Sequence, residues 1–307
     1  LFNSLRPTPE LSFAVRELGC KGGIVITASH NPKEYNGFKV YGADGAQIVS
    51  PFDAELINKV RGLSINDVNF NANKELMIGL GEDMDNAYLA RLKTLSLSPG
   101  SIKEQKDLSI VFTGIHGTGS VIVPKALKAF GFNNVTTVAS QDIIDGNFPT
   151  VHSPNPEEPA ALEQAILLAK EKGAELVMGT DPDADRVGIA IPNPEGEYVL
   201  LNGNQTGSLL VNYLISRWVN KGSVKGKEFV AKTIVTTDLI DAIAAANNVK
   251  VYNTLTGFKH IGAIIKKLEG KEQFIGGGEE SYGYLAGDFV RDKDAVISCA
   301  LIAEMVA

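Results

Sequence analysis

The sequence predicts an α/β protein of three consecutive domains, each with a mixed or parallel sheet covered by helices. Short apolar runs typical of buried strands alternate along the chain with longer runs whose apolar residues recur at helical spacing. The chain has 307 residues, more than one hydrophobic core usually serves. In such sheets ligands bind at the loops that follow strands, so those loops are the candidate functional segments.

The first predicted domain, residues 1–98, opens with a helix. Thr8 is its predicted N-cap and Pro9 its first helical residue, because proline is tolerated where the backbone N–H has no intrahelical partner. Apolar residues at helical spacing follow. The next predicted elements are a strand over 23–27 and helices near 53–60 and 83–95.

The second predicted domain, residues 99–202, and the third, residues 203–307, continue the alternation. The second has strands "LSIVFT", "NVTTVA" and "AELVMG", helices over 120–130 and 159–172, the turn "GIHGTG" and the rigid turn "SPNPEEP". The third has strands over 229–234, "KVYNT" and "QFIGG", helices over 205–218, 237–246 and 259–268, and a final helix-like run, "DAVISCALIAEMVA".

Composition narrows the classes of partner. The 29 basic and 36 acidic residues give a formal charge of -7 without basic clusters, which argues against nucleic acid or an anionic membrane and favours a small molecule or a cation. Cys20 and Cys299 are too few for a disulfide framework, so a reducing compartment is expected. No apolar run is long enough for a membrane helix, and we expect a cytoplasmic protein.

The stretch "GTDPDADRVGIAI" places three carboxylates at alternate positions between two predicted strands: Asp181, Asp183 and Asp185. Alternate carboxylates in a turn can converge on a hard cation such as magnesium. An EF-hand loop is excluded, because its sixth and twelfth positions are Arg186 and Pro192 here. An acidic turn that caps backbone amides is the alternative. Arg186 could neutralise one carboxylate or contact a phosphate.

The stretch "ITASHNPKEYNGFKVY" ends a strand with a hydroxyl and an imidazole, Ser29 and His30. Ordinary turn residues are the alternative interpretation. A hydrolase nucleophile would stand in G-x-S-x-G, which is absent around Ser29. The hydroxyl could instead carry a phosphoryl group, with His30, Lys33 or Lys39 handling protons and charge.

The stretch "GGGEESYGY" follows another strand and holds Glu279, Glu280 and Ser281 on a glycine-rich loop. Carboxylates and hydroxyls suit a polyhydroxylated ligand, since each can hydrogen-bond sugar hydroxyls. A flexible surface turn is the alternative. In the later segment "VRDKD", the basic residues Arg291 and Lys293 could bind a phosphate. Because they are flanked by acidic residues, a solvated charge cluster is at least an equal alternative.

Taken together, "TASHNP", "DPDADR" and "GEESYG", in this order, resemble the α-D-phosphohexomutases, the phosphoglucomutase and phosphomannomutase superfamily. The segments "TPELSFAVREL", "NGFKVYG", "SPNPEEP" and "VRDKD" agree, so the resemblance covers essentially the whole chain. It implies three related α/β domains followed by a fourth, around a deep cleft. We therefore expect the start of the first domain to precede Leu1 and a phosphate-binding fourth domain to follow Ala307. A fragment of this extent is expected not to sustain turnover, because it lacks a second phosphate grip.

The resemblance also implies roles for individual residues. Ser29 would be the phosphoserine, His30 and Lys39 would assist proton transfer, and Arg186 would lie near the transferring phosphate. The magnesium ligands would be Ser29 through a phosphate oxygen, Asp181, Asp183 and Asp185. The sugar contacts would be Glu279 and Ser281, with Gly257 and Lys259 of "TGFKHIG" facing the ligand and His260 as a competitor of Lys259.

The implied activity is intramolecular phosphotransfer between hexose 1-phosphate and hexose 6-phosphate, through a phosphoserine enzyme and a bisphosphate intermediate. Mg²⁺ would be the cofactor, hexose 1,6-bisphosphate the activator and sugar phosphates the partners. The loop "GEESYG" favours glucose phosphates; mannose, pentose or glucosamine phosphates remain alternatives within the superfamily. A non-catalytic sugar-phosphate-binding paralogue is a further alternative, against which intact Ser29 and the three aspartates argue. The sequence does not predict the oligomeric state.

Overall fold

The computed structural model describes residues 1–71 and 73–307, and it confirms an α/β architecture with mixed sheets covered by helices. The helices are α1 Thr8–Glu17, α2 Phe52–Arg61, α3 Glu82–Lys93, α4 Pro99–Glu104, α5 Gly119–Phe130, α6 Pro159–Lys172, α7 Gly203–Asn220, α8 Leu239–Ala246, α9 Phe258–Leu268 and α10 Ala295–Val306, with 3₁₀ turns at Ile65–Asp67 and Lys74–Leu76. The strands are β1 Gly22–Ile26, β2 Phe38–Gly42, β3 Ile110–Thr113, β4 Val135–Thr137, β5 Leu176–Thr180, β6 Val187–Pro192, β7 Tyr198–Leu201, β8 Glu228–Thr233, β9 Lys250–Thr254, β10 Gln273–Gly278 and β11 Tyr284–Ala286.

The N-terminal region pairs β1 with β2 antiparallel, with Ile26 opposite Phe38. Sequence reasoning did not predict β2. Helix α1 packs on β1 and begins at Thr8, one residue earlier than predicted. The predicted Thr8 N-cap is wrong: Pro7 holds that position without a side-chain cap, and the Thr8 hydroxyl bonds to Asp183 instead.

The middle region forms a five-stranded sheet in the order β4-β3-β5-β6-β7. The β3–β4 and β3–β5 pairs are parallel, whereas β5–β6 and β6–β7 are antiparallel. Every residue of β5 is buried, which explains why this strand reads as an unbroken apolar run rather than an alternating one. The acidic stretch is the short connection between antiparallel β5 and β6.

The C-terminal region forms a four-stranded sheet in the order β11-β10-β8-β9. Strand β8 pairs in parallel with β9 and β10, while β10 and β11 are antiparallel. The stretch "GGGEESYGY" therefore ends β10 and turns back into β11, a strand not predicted. Strand β7 and helix α4 were also missed, because both are short.

Helix α10 joins the middle and C-terminal regions. Residues 295–304 of this helix are all buried, as expected of a helix in the centre of a core rather than at its surface. It packs against α5 and α7. No helix in residues 1–71 and 73–307 combines the length and apolarity that a membrane crossing requires. The division into domains at residues 99 and 203 stays a prediction.

Candidate active site

The stretch "TASHNP" forms part of the connection from β1 to β2, and Ser29 lies near its start. The Ser29 backbone has a φ of 52°, in the left-handed region that non-glycine residues rarely adopt. Its N–H donates to Thr27 Oγ1 at 2.8 Å, which helps hold this turn. The Ser29 hydroxyl then donates to Asp181 Oδ2 at 2.8 Å, so residues 152 positions apart meet. The hydroxyl and the acidic stretch therefore belong to one site.

His30 lies beside the Ser29 hydroxyl, with 3.1 Å between Nδ1 and Oγ. Burial lowers the pKa of His30 below its ordinary value, and the positive charge of Arg186 lowers it further. The imidazole is therefore neutral near pH 7. Which atom of this pair donates depends on the ring nitrogen of His30 that carries the proton.

The three aspartates occupy the turn between β5 and β6, and Asp181, Asp183 and Asp185 are 0%, 4% and 1% exposed. One carboxylate oxygen from each lies within 4.8 Å of the others. Buried carboxylates this close repel one another unless cations balance them. The cluster could hold a metal ion.

The backbone of this turn is held from three directions. Three consecutive carbonyl groups each accept a bond from a backbone N–H at the start of a different helix, groups that otherwise lack intrahelical partners. The pairs are Thr118 to Pro182 at 2.8 Å, Thr8 to Asp183 at 2.9 Å, and Ala295 to Ala184 at 3.1 Å. The "GIHGTG" turn approaches so closely that a Cβ on Gly117 would lie 2.3 Å from Pro182 Cα, which explains glycine there. Helices α1, α5 and α10 thus fix the turn that carries the three aspartates.

Asp183 and Asp185 each use one carboxylate oxygen for protein contacts. Asp183 Oδ2 accepts bonds from Thr8 Oγ1 at 2.7 Å and Lys39 Nζ at 2.8 Å. Asp185 Oδ2 lies 2.8 Å from Lys39 Nζ and 3.1 Å from Lys293 Nζ. The Oδ1 atoms of both aspartates are buried and have no hydrogen-bond partner among the described residues. Buried oxygens without a donor are costly, and a bound cation would satisfy them.

The pKa values of Asp181 and Asp185 are shifted in opposite directions. Burial, and then the charges of Asp183 and Asp185, raise the pKa of Asp181 well above its ordinary range. Burial acts in the same direction on Asp185, but Lys293, Lys39 and Arg186 outweigh it and hold the pKa of Asp185 well below its ordinary range. Burial alone would lower the pKa of Lys39, yet Asp183 and Asp185 hold it well above the ordinary value. Lys39 is therefore a permanent ammonium ion paired with two of the aspartates.

A cavity of about 470 Å³ gathers residues from all three regions of the chain. Its lining includes every residue predicted to bind sugar as well as Arg186. The lining residues are Gln47, Arg186, Thr256, Gly257, Phe258, Lys259, Glu279, Glu280, Ser281 and Lys293. Acidic, basic and hydroxyl groups therefore face one polar cavity.

The adjacent acids Glu279 and Glu280 have different surroundings. Glu280 Oε2 accepts bonds from the hydroxyls of Thr233 at 3.0 Å and Thr236 at 2.9 Å, which anchors the loop to β8. Glu279 Oε1 accepts the N–H of Gly257 at 2.9 Å, and no donor within residues 1–71 and 73–307 binds its Oε2. Burial raises the pKa of Glu279 above its ordinary value. Gly257 has a φ of 104°, which favours glycine at this position.

The basic residues predicted for the site take different places. The Arg186 guanidinium lines the cavity and donates to Glu157 at 2.8 Å, while the Arg186 N–H donates to Asp181 Oδ1 at 3.0 Å. Lys259 is at the rim, with Nζ 3.5 Å from Asp53 Oδ2. Lys33 is exposed. Arg186 therefore contacts both the aspartate turn and the cavity.

Lys293 is a site residue that the sequence reasoning missed. The interpretation of "VRDKD" as a solvated charge cluster is wrong, since Arg291 is 0% and Lys293 is 8% exposed. Lys293 Nζ lies 3.1 Å from Asp185 Oδ2, and the same side chain lines the cavity. Burial lowers its pKa less than Asp185 and Asp292 raise it, so the ammonium stays charged. The available sequence signal was the charged run between two apolar segments, "GDFV" and "AVISCA".

Comparison with protein families matches three successive domains of one family, phosphoglucomutase/phosphomannomutase, alpha/beta/alpha domains I, II and III. Domain I matches residues 1–65, domain II residues 86–196 and domain III residues 202–307. The chain belongs to this family. The superfamily resemblance of the sequence is thereby confirmed, and the site lies where the loops of three phosphohexomutase domains meet.

Individual members of the family are similar along the whole chain. A phosphoglucomutase of Staphylococcus epidermidis is 42% identical over 312 residues, covering 100% of this chain and 56% of that protein. A putative phosphomannomutase from Thermus thermophilus superposes with a TM-score of 0.80 at 26% identity, covering 100% of this chain and 64% of the other. Aspergillus fumigatus N-acetylphosphoglucosamine mutase, solved with GlcNAc-6P and magnesium, has a TM-score of 0.59 at 14% identity, covering 97% and 73% of the two chains, and shares the fold. This phosphohexomutase chain spans about half the length of the curated relatives it matches.

Proposed function

We propose that this chain carries the phosphoryl-transfer site of a phosphoglucomutase, an enzyme that interconverts glucose 1-phosphate and glucose 6-phosphate. One observation carries the proposal: the Ser29 hydroxyl contacts Asp181 of the buried aspartate cluster, 2.8 Å away. A hydroxyl, a candidate metal site and a polar cavity lined by Lys293 and Arg186 are therefore adjacent. The 42% identical phosphoglucomutase favours glucose over other sugars.

The aspartate cluster fits a magnesium ion. Its donors are carboxylate oxygens, the ligands that magnesium prefers, and buried Asp183 Oδ1 and Asp185 Oδ1 have no donor among the residues described. Asp181 Oδ2 faces the Ser29 hydroxyl and completes the set. When bound, Mg²⁺ would neutralise the charge of a phosphoryl group on Ser29. The magnesium-containing neighbour shares only the fold with this chain, so these oxygens are what support a metal site.

Ser29 would store the phosphoryl group between catalytic cycles. In the forward step a hydroxyl of the hexose phosphate attacks the phosphorus, the bond from phosphorus to Ser29 Oγ breaks, and a hexose bisphosphate forms. The attacking hydroxyl loses a proton and Ser29 Oγ regains one. The bisphosphate would then turn over, so that Ser29 Oγ attacks its other phosphorus and the bond from that phosphorus to the sugar oxygen breaks. Ser29 Oγ loses its proton, and the released sugar hydroxyl gains one. Sugar and enzyme therefore exchange one phosphoryl group in each direction, and phosphate is not released.

Nearby side chains would serve this exchange in different ways. Neutral His30, with Nδ1 3.1 Å from Ser29 Oγ, is placed to pass a proton to and from that oxygen. Lys39 is bound to Asp183 and Asp185 as an ammonium, which supports an electrostatic role beside any proton-transfer role. Arg186 joins the metal-binding turn to the cavity and would stabilise the phosphoryl oxygens.

The cavity would hold the sugar phosphate. Its volume of about 470 Å³ falls within the range of small-molecule sites, roughly 300 to 1,000 Å³. Glu279 and Ser281 can hydrogen-bond sugar hydroxyls, and Gly257 keeps Glu279 in place through its N–H. Lys259 at the rim and Lys293 inside would attract the substrate phosphate. The hexose 1,6-bisphosphate would bind here as activator.

The proposal is tested by phosphorylating Ser29. The protein is incubated with Mg²⁺ and either glucose 1,6-bisphosphate or mannose 1,6-bisphosphate, and the product is analysed by intact-mass and phosphopeptide measurements. We expect one phosphoryl group, on Ser29, with faster labelling by the glucose compound. Ser29→Ala should abolish the labelling, whereas Ser281→Ala, the matched serine variant in the sugar loop, should slow it but keep it on Ser29. Labelling confined to other residues would refute the phosphoserine assignment.

A further inference from the structure

We infer that the Thr8 hydroxyl is a positioning group for Asp183, aiming its second carboxylate oxygen at the metal; this inference rests on the proposed function. Thr8 Oγ1 donates to Asp183 Oδ2 at 2.7 Å, and both residues are buried. The hydroxyl does not cap its own helix, although threonine at the start of a helix commonly does. Its hydrogen bond is made to the aspartate instead.

The contact between these two residues has two points. The Thr8 N–H donates to the Asp183 carbonyl oxygen at 2.9 Å, while its hydroxyl donates to the Asp183 side chain. One residue at the start of a rigid helix therefore holds both the backbone and the carboxylate of Asp183. Partners that hydrogen-bond a metal ligand in this manner fix its orientation. With Oδ2 held, the remaining oxygen, Oδ1, is left to the metal.

Lys39 also binds Asp183 Oδ2, but it cannot replace Thr8 in this role. Its ammonium lies at the end of a long, flexible side chain and is shared with Asp185. Its positive charge also repels a divalent cation bound to the same carboxylate, whereas a neutral hydroxyl does so far less. Thr8 is the donor that can orient Asp183 at little electrostatic cost to metal binding.

The alternative is that Thr8 contributes only to the packing of α1 against the metal-binding turn. Both roles predict a loss of stability when the hydroxyl is removed. Only the positioning role predicts a separate loss of metal affinity. Ser12 is the matched control, because it is a buried residue on the same helix whose hydroxyl donates to the Gly45 carbonyl at 2.6 Å and accepts from the Arg291 N–H at 3.0 Å, away from the aspartates.

The experiment measures Mg²⁺ binding by titration calorimetry in the wild-type chain and in four variants: Thr8→Val, Thr8→Ser, Ser12→Ala and Asp183→Asn. Urea unfolding in the presence of EDTA is measured in parallel. Thr8→Val keeps the shape and the N–H but lacks the hydroxyl, and we expect its Kd for Mg²⁺ to rise by about 10-fold, or roughly 1.4 kcal/mol. Thr8→Ser retains a hydroxyl and should bind close to wild type. Ser12→Ala should lose stability without a change in Kd.

Each outcome decides between the two roles. A weaker Kd for Thr8→Val, restored in Thr8→Ser and absent in Ser12→Ala, supports the positioning role. Equal Kd values for wild type and Thr8→Val would overturn this inference and leave the proposed function standing. If the wild-type chain shows no saturable binding that Asp183→Asn weakens, the metal assignment fails, and the positioning role fails with it.

Discussion

The buried carboxyl of Glu10 should make the stability of this protein depend on pH. Glu10 lies on α1, and both its oxygens are buried without a donor among the residues that the structure describes. The neighbouring guanidinium of Arg6 is already bound by Asp85, at 2.6 Å and 2.9 Å. Burial, and then the negative charge of the neighbouring Asp85, raise the pKa of Glu10 to about 8. Asp294 raises it further, and Arg6 opposes the shift.

The sign of the effect follows from proton binding. The carboxyl has an ordinary value of 4.5, so above about pH 5.5 it has lost its proton in the unfolded chain but keeps it in the folded chain. The unfolded state then binds fewer protons, and the free energy of unfolding falls by about 1.4 kcal/mol for each pH unit. From about pH 5.5 to 7.5 the loss in the free energy of unfolding is roughly 2 to 3 kcal/mol, because Glu10 is fully buried and little screened.

The perturbation is Glu10→Gln, which replaces the carboxyl by an uncharged amide of the same shape. Urea unfolding of wild type and variant at a series of pH values gives the difference in free energy of unfolding. We expect that difference to shift in favour of the variant by roughly 2 to 3 kcal/mol between about pH 5.5 and 7.5. Glu17→Gln, on the exposed part of the same helix, should change little across this range. A difference for Glu10→Gln that is independent of pH would refute the reasoning.

Three further predictions concern the site. Asp183→Asn should weaken Mg²⁺ binding by about 10-fold or more, because an amide oxygen is a weaker ligand for a hard cation than a carboxylate oxygen. The free energy of unfolding should change less than the free energy of Mg²⁺ binding, and urea unfolding and calorimetry measure the two separately. Glu279→Gln should slow phosphoryl transfer from Ser29 to a hexose phosphate, while phosphorylation of Ser29 by the bisphosphate survives, since Oε2 loses the charge that strengthens bonds to sugar hydroxyls. Unchanged transfer rates for every hexose phosphate tested would remove Glu279 from the site. Lys293→Met should lower the free energy of unfolding by about 3 kcal/mol, measured by urea unfolding, because the buried charges of Asp185 and Asp292 lose their positive partner. A loss below about 1 kcal/mol would contradict that pairing.

The amino-acid sequence determined the fold class and most helices and strands, because each depends on residues close together in the chain. Helix α6 and strand β9 were predicted to the residue, since proline, glycine and an apolar pattern mark their limits locally. The motifs containing Ser29, Asp181 and Glu279 were also recognisable, since chemistry-bearing residues follow apolar strands. Short elements such as β11 were missed, as their few residues carry too little pattern.

The tertiary structure alone decided which side chains meet and which are buried. Nothing local distinguishes Glu279 from Glu280, yet packing of Thr233 and Thr236 ties Glu280 to β8 and leaves Glu279 toward the cavity. Lys293 is charged and has acidic neighbours in the sequence, but α10 carries its segment into the core beside Asp185. The sequence around Thr8 predicted that its hydroxyl caps the helix, but the hydroxyl donates a hydrogen bond to Asp183, 175 residues away in the sequence. Local propensity is overridden at these positions because a buried polar group must bond to the partner that the packed core places beside it.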